Sequence, residues 1–321
     1  MISGRTSFWI GLLPLAIGGS LASGQEARPR FDPKRPPEAE LQMTIEGPFT
    51  LAAELGATNA LKVLELAGRS DIPVALGESA PLLGEAITAK NVHGENGLGN
   101  VELPEPKAKL HPGGALRLLA ETLASSPEPV TLLPVGPLTN IALFLKVHPE
   151  LRPKIREIVS MGGTAAAPGT VKPTVSFNIL NDPEAAAIVY RSGIPVTMVG
   201  LDATSKTVLT TERVARFSAS TDPVERFVGA VVSFHRNVRG AEGVVVHDPL
   251  AVGAVIDPSF LRTENLPVDV ELRGELTRGQ MVVDRRADPT WRTGAPRSTR
   301  VALDVDAERF LAFLIERLEA R

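Results

Sequence analysis

The chain has 321 residues, 43% of them hydrophobic and 22% charged, with a formal net charge of −3. That length can bury a sizeable core, and the balance is that of a globular protein and excludes a disordered one. Nothing gives the global basic field that nucleic acid or an anionic membrane would require, two Trp and one Tyr leave little for base stacking, and the absence of cysteine excludes disulfides, thiolate metal sites and cysteine nucleophiles.

At the N-terminus Arg5 precedes an apolar stretch from Phe8 to Leu21. The small residues Ala22-Ser23-Gly24 and then Gln25-Glu26 follow. This is the order of an export signal, so residues 1–24 are expected to be a signal peptide, cleaved between about Ala22 and Ala27, with a periplasmic or secreted product. A membrane anchor fits less well, because the run is short and broken by Pro14 and Gly18-Gly19. Residues 25–40, rich in Pro and charge, read as a linker or truncated lead-in, and residues 41–321 as one domain.

From Leu51 to Gly68 leucines at helical spacing predict a helix ending at a glycine. Ile72–Leu76 is a short apolar strand, and residues 77–112 are loop-rich. A helix over Pro112–Ala124 leads to a strand at Val130–Pro134, then a helix over Leu138–Val147 and a strand at Ile155–Met161. Asn181-Asp182-Pro183-Glu184 caps a helix reaching Tyr190, and a strand follows at Pro195–Leu201. Residues 211–237 are helical, and a further helix begins at Asp248 after the apolar run Val244–Val246. A hairpin over Val268–Leu272 and Gln280–Asp284, then a strand and an amphipathic helix, complete the chain. Apolar runs that stop at Gly, Pro or Asp, with helices between them, predict an α/β fold with a Rossmann-like, mostly parallel sheet.

Several polar groups fall at the C-terminal ends of those strands, where such sheets place ligands. His247-Asp248 sits between an apolar run and a helix; the pair can act as acid and metal ligand, or Asp248 can cap the helix with His247 packed beside it. The loop His93-Gly94-Glu95-Asn96-Gly97 reads as a ligand loop or a surface turn. Asn178 can read hydroxyls, Asp182 suits a cap, and Asp202 suits either role.

The segments NALKVLELAG, IPVALG, HGENGLG, LLPVGPLTNIAL, IVSMGG, FNILNDPEAA, IPVTMVGLD, HDPLAVGAVIDP and LTRGQMVVDRR occur in one order from Asn59 to Arg286. As an ordered set they resemble the inosine-uridine-preferring nucleoside hydrolases. The resemblance implies hydrolysis of the N-glycosidic bond of ribonucleosides to ribose and free base, in purine or pyrimidine salvage, with Ca²⁺ bound by oxygen ligands. It places Asp248 and the backbone carbonyl of Val135 at the calcium and His247 as the acid for the leaving base. His93, Met161 and Asn178 are placed at the substrate. A small-molecule nucleoside is the implied partner, with no nucleic acid, no stable membrane span after signal cleavage, and a homodimer or homotetramer as the family habit.

The chain departs from the family in one large respect. It lacks the DxDxGxDD motif that ends the first strand and supplies two calcium ligands and the catalytic base. The expectation is therefore a missing first strand, with Asp32 as a stump of the first aspartate and a candidate base, or else a plain linker residue. Pro48, Thr170 and Ser176 stand where the family carries two asparagines and a glutamate. An impaired or inactive homologue that binds a nucleoside or polyol, or acts structurally, is the alternative function.

Overall fold

The computed structural model describes residues 8–10, 53–87, 90–239, 243–286 and 298–319. Its sheet contains β1 (Phe8–Ile10), β2 (Val130–Leu133), β3 (Ile155–Met161), β4 (Val196–Val199), β7 (Leu261–Val270), β8 (Met281–Val283) and β9 (Ser298–Val305), in the order β1-β2-β3-β4-β9-β7-β8. The pairs from β1 through β4 to β9 are parallel, and β7 runs antiparallel to both β9 and β8. A separate ribbon pairs β5 (Val208–Thr210) with β6 (Gly243–Val245). The α/β sandwich read from the sequence is thus the observed architecture.

Period-two alternation sorts the strand residues onto two cores. Leu133, Val159 and Val199 face one side, where α1 (Ala53–Leu66), α10 (His247–Ile256) and α11 (Ala307–Glu319) contribute to the core. Leu132, Ile158 and Met198 face the other, against α3 (Gly114–Ser125), α4 (Thr139–Val147) and α6 (Pro183–Tyr190). Strands covered on both faces have no polar side, which is why their sequences read as apolar runs.

Three expectations are corrected. First, the place beside β2 is not left empty, although no strand with the acid motif fills it: Phe8–Ile10 pairs with β2, Phe8 opposite Thr131 and Ile10 opposite Leu133. Every residue of β2 is buried, so its outer peptide groups need a partner, and a run of β-forming residues supplies one. These three residues lie within the stretch expected to be an export signal. Second, Ile72–Leu76 is reduced to a bridge between Ala75 and His111. Pro73 has no N–H to donate, and the carbonyls of Val74 and Leu76 accept instead from His111 and Ala115. Third, the helical stretch 211–237 is two helices, α8 (Thr211–Ser218) and α9 (Pro223–Arg239). The Asp222 carboxylate accepts from the Val224 and Glu225 amides and restarts the helix at Pro223.

Asp182, expected as a cap, has a wider role. One carboxylate oxygen accepts from the Ala185 amide at 2.9 Å at the start of α6. The other accepts from the Leu82 amide at 2.8 Å and the Thr139 hydroxyl at 2.7 Å, and the residue is fully buried. One side chain therefore ties the loop at Leu82 and α4 to α6. Asp182→Ala strands three donors, two of them buried, and equilibrium urea unfolding is expected to register a loss of about 2–4 kcal/mol. A loss below 1 kcal/mol, on the order of one exposed cap, would show that the three partners find water instead.

Candidate active site

The site begins where β2 and β3 stop. Beyond their last ladder bonds, the carbonyls of Val135 and Met161 belong to residues that are both 6% exposed, and such buried acceptors need donors. Asn178 answers both from α5 (Phe177–Asn181): its Nδ2 donates to Val135 O at 2.8 Å and to Met161 O at 3.1 Å, with Met161 Sδ at 3.2 Å. The structure thus brings together three predicted site residues, Val135, Met161 and Asn178.

The backbone around them is held closely. Gly162 and Gly163 follow β3 at φ 131° and 81°, and a Cβ on Gly162 would stand 3.2 Å from the Asn178 Cβ. Gly163 donates to Ser176 Oγ at 2.7 Å, and the Phe177 amide donates to Thr170 Oγ1 at 3.0 Å. The two residues that depart from the family's sugar loop therefore anchor α5. Asp202, open between cap and site in the sequence, is an anchor as well. It lies in α7 (Leu201–Thr204), and its carboxylate accepts from the Ala165, Ala166 and Ala167 amides at 2.7, 2.8 and 3.0 Å.

His247 and Asp248 open α10, which packs on β2 and β3. His247 Nδ1 lies 2.8 Å from Thr204 Oγ1, a partner that sequence reasoning missed because only Asp202 of that turn had been singled out. Asp248 is partly exposed as a residue, but its carboxyl is inside, and burial pushes it up to about 8. His93 belongs to a second group. It ends α2 (Lys90–His93), and its Nδ1 is 3.1 Å from Nε2 of His235 on α9, the rings meeting edge to face. The Asn59 side chain donates to Asn96 O at 2.7 Å, and Asn96 Oδ1 accepts from the Leu98 and Asn100 amides, so the HGENG segment is a braced loop. Neither His235 nor Asn59 carries a local sequence signal, since both act across long separations. Asp32 and Pro48 lie outside the described residues.

The profile described as inosine-uridine preferring nucleoside hydrolase matches residues 43–312. The chain belongs to this family. It is 42% identical over 287 residues to the pyrimidine-specific ribonucleoside hydrolase RihA of Photobacterium profundum, covering 88% of this chain and 91% of that one. Similarity to RihA of a Shewanella species is 43% over 265 residues, covering 81% and 82%. Among solved structures, the purine-preferring ribonucleoside hydrolase from Gardnerella vaginalis superposes with a TM-score of 0.80 at 32% identity, covering 88% of this chain and 90% of that one. A plant nucleoside hydrolase gives 0.81 at 30% identity, covering 89% and 92%.

The family's reaction is hydrolysis of ribonucleosides to ribose and free base, and it is generally calcium-dependent. Two donors here have the chemistry of a hard, oxygen-ligated cation: the Asp248 carboxyl and the Val135 carbonyl, whose second lone pair is not needed by Asn178. No group of three or more metal-ligating side chains occurs among the described residues. β1 fills the place beside β2 without restoring the acids, since Gly11-Leu12-Leu13-Pro14 follows it and the next carboxylate in the chain is Glu26.

The state of Asp248 is open to measurement. In the unfolded chain its carboxyl ionises near 3.8, and in the folded one near 8. Between those values the folded state holds the extra proton, so this contribution to stability is complete below about pH 4 and is lost as pH rises through about 8. Thermal unfolding in EDTA is expected to show that decline, and Asp248→Asn to remove it; a variant with the full decline would contradict the assignment. A divalent cation beside the carboxylate is expected to flatten the wild-type curve.

Proposed function

We propose that this chain is a ribonucleoside N-ribohydrolase with a preference for pyrimidine nucleosides. The observation that carries the reading is the 42% identity over 287 residues to a pyrimidine-specific hydrolase, with His247, Asp248, Met161 and Asn178 present in their motifs. The pyrimidine preference follows the more similar relatives, since the purine-preferring structure is 32% identical.

In this reading Asn178 spends both N–H bonds on the scaffold and offers a ligand its Oδ1, an acceptor suited to a ribose hydroxyl. Thr204 Oγ1, 2.8 Å from His247 Nδ1, orients the ring, and with the Thr204 hydroxyl as donor the ring proton sits on Nε2, from which it passes to the departing base. Asp248 and the Val135 carbonyl are the described residues that would hold Ca²⁺, which when bound fixes ribose hydroxyls and acidifies water. Asp32 is the carboxylate assigned to take the water's proton. Export rests on the N-terminal pattern alone; a mature N-terminus between Ala22 and Ala27 would support it, and such cleavage would remove β1, so the pairing of Phe8–Ile10 with β2 would belong to the uncleaved chain only.

A second reading is favoured by one observation. The residues after β1 carry no carboxylate where the family carries its base and two ligands. A chain that binds nucleosides without cleaving them satisfies the rest of the site.

Ribose release from uridine, cytidine and inosine, with and without Ca²⁺, separates these readings. The hydrolase reading expects pyrimidine nucleosides to be cleaved faster, and His247→Ala to slow cleavage by about 10²–10⁴-fold. Folded protein that binds uridine calorimetrically and releases no ribose would establish the second reading and end the first.

A further inference from the structure

We propose that Arg278 is a positioning residue for the site, clamping the loop at 271–280 against α5 and so holding Asn178 on the two strand-end carbonyls. The importance given to Asn178 rests on the function proposed above; the clamp itself rests on geometry.

Helix α5 has five residues, too few to fix its own place, because a single turn spends its hydrogen bonds on nucleation. Yet Asn178 must meet two carbonyls at once, at 2.8 and 3.1 Å. From the strand side, Ser176 and Thr170 anchor the approach to this helix. The other support is the LTRGQ segment, Leu276 to Gln280, which no catalytic role absorbs. Gly279, at φ 88°, lies with its backbone on the helix: a Cβ there would stand 3.0 Å from Val175 Cγ1 and 3.2 Å from Leu180 Cα. Only glycine meets both the left-handed backbone and that approach.

The loop is a rigid presser because it is closed on itself. Gly279 donates to Glu271 O at 2.7 Å, Arg278 to Gly274 O at 2.8 Å, and Gln280 to Thr277 O at 2.8 Å. The Glu271 carboxylate accepts from the Arg273 and Gly274 amides at 2.6 and 3.0 Å. What fixes it across the gap is the Arg278 guanidinium. Its two terminal nitrogens donate to the two Glu184 oxygens at 2.6 and 2.7 Å, and one also donates to Leu272 O at 2.9 Å. Glu184 stands in the first turn of α6, directly beyond Asp182, where α5 ends. Arg278 therefore grips the element after α5 while Gly279, its neighbour, presses on α5 itself. The guanidinium holds the Glu184 carboxyl below its usual range, and the two side chains are 34% and 18% exposed, shielded enough for the pair to matter. A planar fork supplies this geometry and a lysine does not.

Arg278→Lys keeps the charge and the stem but loses the fork. The readout is solvent exchange of the Asn178 side-chain amide by NMR, its resonance identified by its loss in Asn178→Ala, with backbone amides of β2 and β3 as the internal control. In Arg278→Lys the Asn178 amide is expected to exchange about 10-fold faster while the strand amides keep their protection. The swapped pair Arg278→Glu with Glu184→Arg is expected to restore part of the difference. Unchanged exchange at Asn178 in Arg278→Lys would overturn the proposal, whether or not the chain cleaves nucleosides. Faster exchange with an unaltered uridine affinity would uphold the clamp and remove the ribose contact assigned to Asn178, so the two ideas fail separately.

Discussion

The rest of the site depends on one constraint: two adjacent parallel strands end inside the protein, and their last carbonyls must still be satisfied. Met161 supplies the last carbonyl of β3 and Val135 the one two residues beyond β2, and the Asn178 amide answers both. Because one side chain bridges two strand ends, the helix carrying it has little freedom. The neighbouring features follow from that demand. Gly162 makes room at the Asn178 Cβ, Gly200 lets the end of β4 approach Gly163 O, where a Cβ would stand 2.8 Å away, and Ser176 turns the chain into α5. A residue expected to touch a sugar is thus first a structural fastener.

The carboxylates divide by the same logic. Asp182 and Asp202 each accept several backbone or hydroxyl donors, and these bonds fix loops to helices. Glu184 is held ionised by a guanidinium. Asp248 moves in the opposite direction, because its carboxyl is buried and desolvation dominates. Asp248 thus stands at a helix N-terminus as a buried acid pushed toward neutrality, beside a histidine in contact with Thr204.

Most of the architecture was legible, because strands buried on both faces write themselves as uninterrupted apolar runs. Ile155–Met161 matched to the residue, and the Asp182-Pro183-Glu184 start of α6 followed from cap chemistry. The failures have local causes. Ile72–Leu76 has strand composition, but Pro73 cannot join a ladder and its carbonyls serve α3 and its lead-in. The break before Pro223 lies inside an amphipathic pattern that continues across it. Site residues with motif neighbours, such as Asn178 and His247, were found. Thr204 and His235 were not, since a partner supplied from 43 or 142 residues away leaves no trace in local spacing.

β1 separates two properties that the family's first strand combines. The resemblance places the family's acid cluster at the end of its first strand, so that one segment serves both sheet and site. Here Phe8–Ile10 covers β2, a task requiring only backbone hydrogen bonds and β-forming residues. The acids require particular side chains, and Gly11-Leu12-Leu13-Pro14 cannot provide them. A sheet edge is therefore far more tolerant of replacement than a ligand set. The same asymmetry explains why the ends of β2, β3 and β4 keep their hydrogen-bonded order around Asn178 while no group of three or more metal-ligating side chains occurs among the described residues. Fold and binding surface can outlast the carboxylates, and the chemistry of this chain is decided by whether an oxygen donor from outside β1 enters the place that the family's aspartates would occupy.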